Sequence, residues 1–313
     1  MGILATGPLT ADETRTAIRR IRQLTNGSFG IGATLLMPGA SENAKVAIEE
    51  RVPLVNVSLG KADWITEAVH GYGGHVLSTV TNAKHASAAL ESGADALMVT
   101  GHEAAAHGGD VTSLVLIPSL SRRFPEVPLV AAGGFANGRG LAAALTLGAD
   151  AVAMGSRLAT TQQSPLAKPM KEAIVGSTES DTLYGSNFDG IPARVLRTPT
   201  SEVLMAKRPP IPVVVYRAFQ AAKKMNIPLM KVIPGLLTQW DKMFAVAQFG
   251  AATTALQTAT VDGEMDGGVQ FVGQSQGLIY DIPTVEEMMQ RIIKEAEAAS
   301  IQTSMCLRGD GES

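Results

Sequence analysis

The stretch best suited to chemistry is Val-Thr-Gly-His-Glu-Ala-Ala-Ala-His-Gly-Gly-Asp at positions 99–110, which follows a short apolar run. Within it His107 sits among small residues that leave its ring room to face a ligand. An imidazole takes up a proton near neutral pH, so His107 is a candidate base. A loop histidine hydrogen-bonded to backbone is the plainer alternative. His102, Glu103 and His107 could be considered as metal ligands, but His-Glu-x-x-x-His is not the spacing that puts two histidines on one helix face, and no third ligand is evident. No metal is therefore assigned. Two further loops, Gly133-Gly134 and Gly155-Ser156, each end an apolar run. Bare backbone at the start of a helix lets N–H groups approach an anion, so two such loops on neighbouring strands suit a phosphate. Each pair also reads as simple turn glycines. Arg139 and Arg157 are placed to add positive charge nearby.

These loops need strands and helices to hold them. Apolar runs at about 3–6, 29–36, 54–59, 75–80, 96–100, 129–132 and 151–154 alternate with helical patterns at 10–24, 42–50, 61–70, 82–92, 113–124 and 137–147. Near-continuous apolar strands separated by helices predict a parallel α/β sheet, and eight such units would close a TIM-type (β/α)₈ barrel. Barrels of this kind carry their chemistry at the carboxyl ends of the strands, where all three loops fall. The strands count to seven rather than eight. Thr10 with Glu13 is a capping-box signature. Gly-Ala-Asp-Ala recurs at 93–96 and 148–151, each time before a strand, as a repeated βα grammar would produce.

Beyond residue 160 the alternation stops. Residues 1–165 are read as barrel and 166–264 as an inserted helical cover domain, with helices expected at 213–225 and 235–248. The chain then returns to the barrel over 265–300, ending in an amphipathic helix to about residue 298. Residues 301–313 are expected to be a disordered tail. The Arg-Gly-Asp triplet at 308–310 has a high chance-match rate and is given no role.

The chain has 313 residues, 45% of them hydrophobic, and a net charge of −3, which provides no basic field for nucleic acid. Its single cysteine, Cys306, excludes an internal disulfide framework and fits a reducing compartment. No apolar run has the length of a membrane span, and the amino terminus lacks the pattern of a signal peptide. A cytoplasmic protein is expected.

Four segments in this order, GHEAAAHGG, PLVAAGGFANGRGLAAALTLGADAVAMGSRLATTQQSP, FDGIPARVLRTP and GGVQFVGQSQGLI, resemble the nitronate monooxygenase (2-nitropropane dioxygenase) family. Flavin-containing enoyl-ACP reductases and certain NADH:quinone reductases are relatives of that family. The resemblance implies a (β/α)₈ barrel holding FMN without a covalent bond. It places the family's catalytic histidine at His107 and its phosphate-binding residues at Gly133, Gly134, Gly155 and Ser156. Thr34, Thr79, Thr100, Gly101, Ala105 and Ala132 fall at positions that meet the flavin, Thr79 where the family carries a lysine. Alanines 105 and 106 replace two glycines of the family motif, and the family's first strand-helix unit has no counterpart, Met1 aligning just before the second strand.

The activity implied is FMN-dependent oxidation of small alkyl nitronates by O2, with His107 as base. The alternatives are an NAD(P)H-dependent flavin reductase of quinones or enoyl thioesters, and a non-catalytic truncated paralogue. The expected partners are a small nitronate or nitroalkane and O2, with NAD(P)H under the reductase alternative and homodimerisation through an open barrel edge as a further option.

Overall fold

The computed structural model describes residues 1–37, 39–207, 258–264 and 267–308, together with 210, 212, 213, 216, 252, 255 and 256. Seven strands form one sheet in chain order: β1 (Gly2–Ala5), β2 (Phe29–Thr34), β3 (Leu54–Ser58), β4 (His75–Val80), β5 (Ala96–Thr100), β6 (Leu129–Ala132) and β7 (Ala151–Ala153). The first five pair in parallel, for example Ile31 with Val55 and Val55 with Val76. Helices α1 (Ala11–Leu24), α2 (Ala40–Glu49), α3 (Asp63–His70), α4 (Ala83–Glu91), α5 (Ser113–Arg123) and α6 (Gly138–Thr146) alternate with them. The fold is α/β of the TIM-barrel type, and the seven strands are those the hydrophobic runs predict.

The chain divides into two compact units. The first comprises residues 1–100, 114–131 and 148–150. Its core is Ile18 from α1, Ala44 and Ala47 from α2, and Ile65 and Val69 from α3 against Ile31, Val55 and Val76 of the sheet, every one of them fully buried. Burying a Val or Ile side chain is worth about 1.5 to 3 kcal/mol, so this layer dominates the stability of the unit. The expected capping box is present: Thr10 Oγ1 accepts from Glu13 N–H at 3.3 Å, and the Glu13 carboxylate accepts from Thr10 N–H at 2.8 Å. On the outer face Arg15, Arg19 and Arg22 of α1 converge on Glu50.

The repeated Gly-Ala-Asp text does the same work twice. Gly93 and Gly148 both hold left-handed backbone, at φ 83° and 97°, where a side chain would be strained. Two residues on, the Asp95 carboxylate accepts the Val76 N–H at 2.7 Å and Asp150 accepts that of Leu129 at 2.8 Å. The main-chain N–H of each aspartate donates back to the carbonyl of that same residue.

The second unit comprises 101–113, 132–147 and 151–313. It contains α6, α7 (Ser156–Ala159), α8 (Lys168–Val175), an antiparallel hairpin of β8 (Thr182–Gly185) and β9 (Ala193–Leu196), α9 (Pro199–Ala206), and α10 (Val285–Arg308). Met170, Ile174, Leu196, Val272 and Ile279 form one buried cluster, and Phe188, Val195 and Val269 another. Gly138 of α6 meets α10 so closely that a Cβ there would lie 2.2 Å from the Ile292 carbonyl oxygen.

Two expectations need correction. Segment 166–264 is not purely helical. The hairpin β8–β9 lies within it, because Leu183, Tyr184, Val195 and Leu196 supply strand-forming side chains and Gly190 turns the connecting loop at φ 92°. The helices expected at 213–225 and 235–248 fall largely or wholly outside the described residues. The last helix does not stop at 298 but runs to Arg308, so the tail expected from 301 is helical over most of its length. Neither Gly nor Pro interrupts the chain before Gly309, and Ile301, Met305 and Leu307 are compatible with helix even while exposed. No helix among the described residues is long and apolar enough to cross a membrane.

Candidate active site

The loop after β5 belongs to the second unit and is stitched to it by backbone. Gly101 N–H donates to the Ala132 carbonyl at 3.0 Å. Ala106 and Arg194 of β9 exchange two main-chain hydrogen bonds at 3.1 and 2.8 Å, an isolated antiparallel bridge. Gln274 N–H donates to the Glu103 carbonyl at 2.9 Å. Ala106 occupies left-handed backbone at φ 54°, one of three non-glycine residues among those described to do so. The methyl group at this position therefore strains the backbone as well as filling space.

Side chains tighten the same loop. The Arg194 guanidinium is buried, donates through Nε and Nη2 to the His102 carbonyl at 3.3 and 3.0 Å, and reaches Thr182 Oγ1 at 2.9 Å. It also lies over the Tyr184 ring, 5.2 Å from the centroid. Burial works against its charge, more than the opposing pull of Tyr184 and Glu103. Tyr184 Oη donates to the Gly108 carbonyl at 3.1 Å, and burial followed by the nearby Asp110 charge pushes that phenol above its ordinary range. His102 is held by Nδ1 on the Gly109 carbonyl at 2.8 Å and by an edge contact with Tyr184. The Glu103 carboxylate accepts from Ser113 N–H and Oγ at about 3.0 Å.

His107 has a different environment. Its Nε2 lies 3.2 Å from Asp189 Oδ2, and the Asp189 side chain is only 1% exposed. Its Nδ1 faces the Pro192 carbonyl at 3.3 Å. The second Asp189 oxygen accepts the Ile191 N–H at 3.1 Å, so both carboxylate oxygens are engaged. Phe271 stands edge-on to the imidazole at 5.9 Å and Phe188 edge-on to Phe271 at the same distance. A buried carboxylate is costly unless paired, and the pairing here is to a titratable ring at the end of a glycine-rich loop. The backbone contact that the plainer reading of His107 expects, to Pro192, is therefore present beside a carboxylate contact it does not.

The glycine loops are built as cradles. Gly133 and Gly134 have φ of 89° and 86°, and a Cβ on Gly133 would crowd Ala104 and the Gly101 carbonyl at 3.1 Å. A Cβ on Gly155 would meet nothing within 4 Å, so open space adjoins that turn. Ser156 Oγ accepts the Gly273 N–H at 3.0 Å, tying the turn to segment 267–279. A cavity of about 330 Å³ is lined by Glu103, Gly134, Glu179, Gln274, Ser275 and Gly277 among others. The bare turns fit a phosphate met by main-chain N–H groups, whereas the Glu103 and Glu179 carboxylates that line the cavity do not. The arginines do not supply the expected charge. Arg157 is buried and pairs with Asp281 at 2.7 Å, while exposed Arg139 reaches Gln302 at 3.4 Å.

Of the residues expected to meet a flavin, Gly101, Ala105 and Ala132 lie in the second unit with His107, Gly133, Gly134, Gly155 and Ser156. Thr34, Thr79 and Thr100 lie in the first, at or beside the carboxyl ends of β2, β4 and β5. Their hydroxyls have local partners: Thr34 accepts from Ser58 Oγ at 3.1 Å, Thr79 donates to Asn56 Oδ1 at 3.2 Å, and Thr100 to the Met98 carbonyl at 3.4 Å. Sequence reasoning missed Asp189, Tyr184 and Arg194. Asp189 offered one signal, an acidic residue set between Phe188 and a glycine turn.

A TIM-type fold with a histidine and glycine turns at strand ends defines the class of barrel proteins that carry their site on the strand-end loops. A family model described as "Nitronate monooxygenase" matches residues 40–295, and the chain belongs to that family of oxidoreductases. It is 31% identical to the "(3aS,4S,5R,7aS)-5-hydroxy-7a-methyl-1-oxo-octahydro-1H-indene-4-carboxyl-CoA dehydrogenase" of Mycobacterium tuberculosis, over 98% of this chain and 88% of that protein. A "Probable nitronate monooxygenase" of Staphylococcus aureus is 24% identical, over 62% of this chain and 67% of that protein. Among solved structures, FabK from Thermotoga maritima superposes with a TM-score of 0.77 at 32% identity, covering 96% of this chain and 86% of FabK. The nitroalkane oxidase of Streptomyces ansochromogenes shares the fold, with a TM-score of 0.77 at 21% identity, covering 96% of this chain and 89% of that one.

Proposed function

We propose that the chain is an FMN-dependent oxidoreductase that oxidises small alkyl nitronates with O2, His107 acting as the base that converts a nitroalkane to its nitronate. The observation that carries this reading is the placement of His107 against a buried carboxylate, in a loop pinned by Arg194 and Gln274. Family membership supports the substrate class. FMN, when bound, supplies a two-electron acceptor that O2 can reoxidise. Gly133, Gly134, Gly155 and Ser156 would hold its phosphate, and Gly101, Ala105 and Ala132 would border its ring. Phe271, backed by Phe188, covers one flank of the His107 ring.

A second reading replaces the nitronate by a thioester and adds NAD(P)H as donor. It draws on the indene-carboxyl-CoA dehydrogenase at 31% identity over nearly the whole chain, and on FabK, an enoyl-ACP reductase. Both readings ask His107 to handle a proton beside an electron-withdrawing group. The chain is proposed to work in the cytoplasm.

The test begins with the absorption spectrum of the protein after incubation with FMN and gel filtration. Retained flavin bands support the cofactor assignment, and a colourless protein removes it. Turnover of propyl nitronate with O2, without NAD(P)H, then supports the first reading. Turnover only with NADH and an enoyl-CoA or quinone replaces it with the second.

A further inference from the structure

Arg157 and Asp281 lie outside the proton chemistry, yet they hold one of the two turns assigned to the cofactor phosphate. We infer that they are positioning residues, an ion pair that fixes the Gly155-Ser156 turn and so sets the preference of the site for a phosphorylated flavin over one without phosphate. The inference rests on the reading that the glycine turns seat FMN.

The turn is open on one side and gripped on the other. A Cβ on Gly155 would meet nothing within 4 Å. Ser156 Oγ accepts the Gly273 N–H at 3.0 Å, and the hydroxyl's own hydrogen has no acceptor among the described residues. A hydroxyl is one donor as well as an acceptor, so that hydrogen is left for an anion oxygen.

The next side chain, Arg157, is buried, at 4% exposure. Its Nη2 donates to Asp281 Oδ1 at 2.7 Å and its Nη1 to the Asp281 main-chain carbonyl at 3.0 Å, so the fork grips side chain and backbone of one residue. The other carboxylate oxygen accepts from Arg291 Nη1 at 2.6 Å. Burial pushes the Asp281 carboxyl up, but hydrogen bonds from Arg291 and Arg157 outweigh it and hold the group below its ordinary range. Arg291 belongs to α10, the helix that meets Gly138 of α6. A run of charged hydrogen bonds therefore ties the turn to α10.

A buried ion pair gains little net stability over apolar packing, and fixing one geometry is its better-attested use. The geometry fixed here is that of a turn whose neighbouring space is open. Asp281 already neutralises Arg157, so the guanidinium serves the phosphate as a mount for the turn and not as a charge. Main-chain N–H groups hold an anion only while they converge on it, and hydrogen bonds weaken steeply with misalignment.

Flavin titrations followed by fluorescence quenching test this without turnover, with riboflavin as the flavin that has the same ring and no phosphate. Asp281→Asn keeps the size of a side chain that is 39% exposed and removes the charge that Arg157 grips. The ratio of FMN to riboflavin affinity should fall about tenfold, the low end for a lost hydrogen bond to a charged group. Arg157→Lys keeps a charge but cannot span both Asp281 oxygens, and should lower the ratio likewise, so either variant decides the matter if the other does not fold. Phosphorus NMR of the FMN complexes gives a second readout, in which the bound phosphate resonance should move between the unmodified protein and the variants. An unchanged ratio, whether both affinities fall equally or neither falls, marks the pair as structural and overturns the inference, as does a phosphate resonance that stays in place; the cofactor reading then still stands. Unmodified protein that binds neither flavin overturns the cofactor reading and this inference with it.

Discussion

The main chains of Ala106 and Arg194 exchange two hydrogen bonds while Ala106 holds a left-handed φ of 54°. The pairing fixes a conformation that a β-carbon resists by about 1 to 2 kcal/mol. Ala106→Gly removes that resistance and adds freedom to the unfolded chain, worth about 0.5 to 1 kcal/mol in the opposite direction. A net gain of up to about 1 kcal/mol is expected, read as a higher urea midpoint at unchanged slope. A lower midpoint would show that the methyl group's packing outweighs the strain.

Arg194→Lys tests the clamp beneath the same loop. Lysine keeps a charge but loses the fork that reaches the His102 carbonyl and Thr182 together. Stability should fall by about 2 kcal/mol, the range for a buried charged hydrogen bond. Amide hydrogen exchange over 102–108 should quicken more than in β1–β4. Uniform quickening throughout would mean that Arg194 supports the fold as a whole.

Gly138 sets the approach of α6 to α10. A β-carbon there would lie 2.2 Å from the Ile292 carbonyl oxygen and 2.4 Å from Ala296 N. These are backbone atoms and cannot swing aside. Gly138→Ala should therefore cost about 2 kcal/mol or more, whereas Ala added at Gly155, which faces open space, should cost far less. Denaturant midpoints of the two variants give the comparison directly.

Acid should weaken the first unit through Asp95. Burial pushes this carboxyl up, but the Val76 N–H and the His70 imidazole outweigh it and hold the group below its ordinary range. The unfolded chain then binds the proton first as pH falls, so the stabilisation is full above the unfolded value of about 4 and is lost as pH drops through the folded one. Asp95→Asn should flatten the stability profile below about pH 4 relative to the unmodified protein. Profiles of equal steepness would remove Asp95 as a source of acid sensitivity.

Much of the sheet was legible because strand and helix periods alternate cleanly up to residue 154, and because caps such as Thr10 with Glu13 are local. The loops that carry His107, Gly133 and Gly134 were legible as strand-end loops for the same reason, since each follows a buried apolar run. The β8–β9 hairpin was harder to see. Its strands are only four residues each, too short for an alternating pattern to stand out. Asp189 is 82 positions from His107, and nothing in periodicity or spacing connects a single aspartate with a distant imidazole. The fate of Arg157 was equally hidden, because its partner Asp281 is supplied 124 positions later.

The twin turns at Gly93 and Gly148 also bear on how such a chain grows. Each aspartate clamps the first or second residue of the preceding strand, so a unit is latched by the one that follows it and not by its own residues. A cut anywhere between the strand and its aspartate, the helix included, separates the latch from its strand, while a cut just after either aspartate leaves the latch closed. The natural cassette for duplication, grafting or circular permutation is accordingly bounded just after an aspartate, so that the strand, its loop, its helix and the next Gly-Ala-Asp travel together.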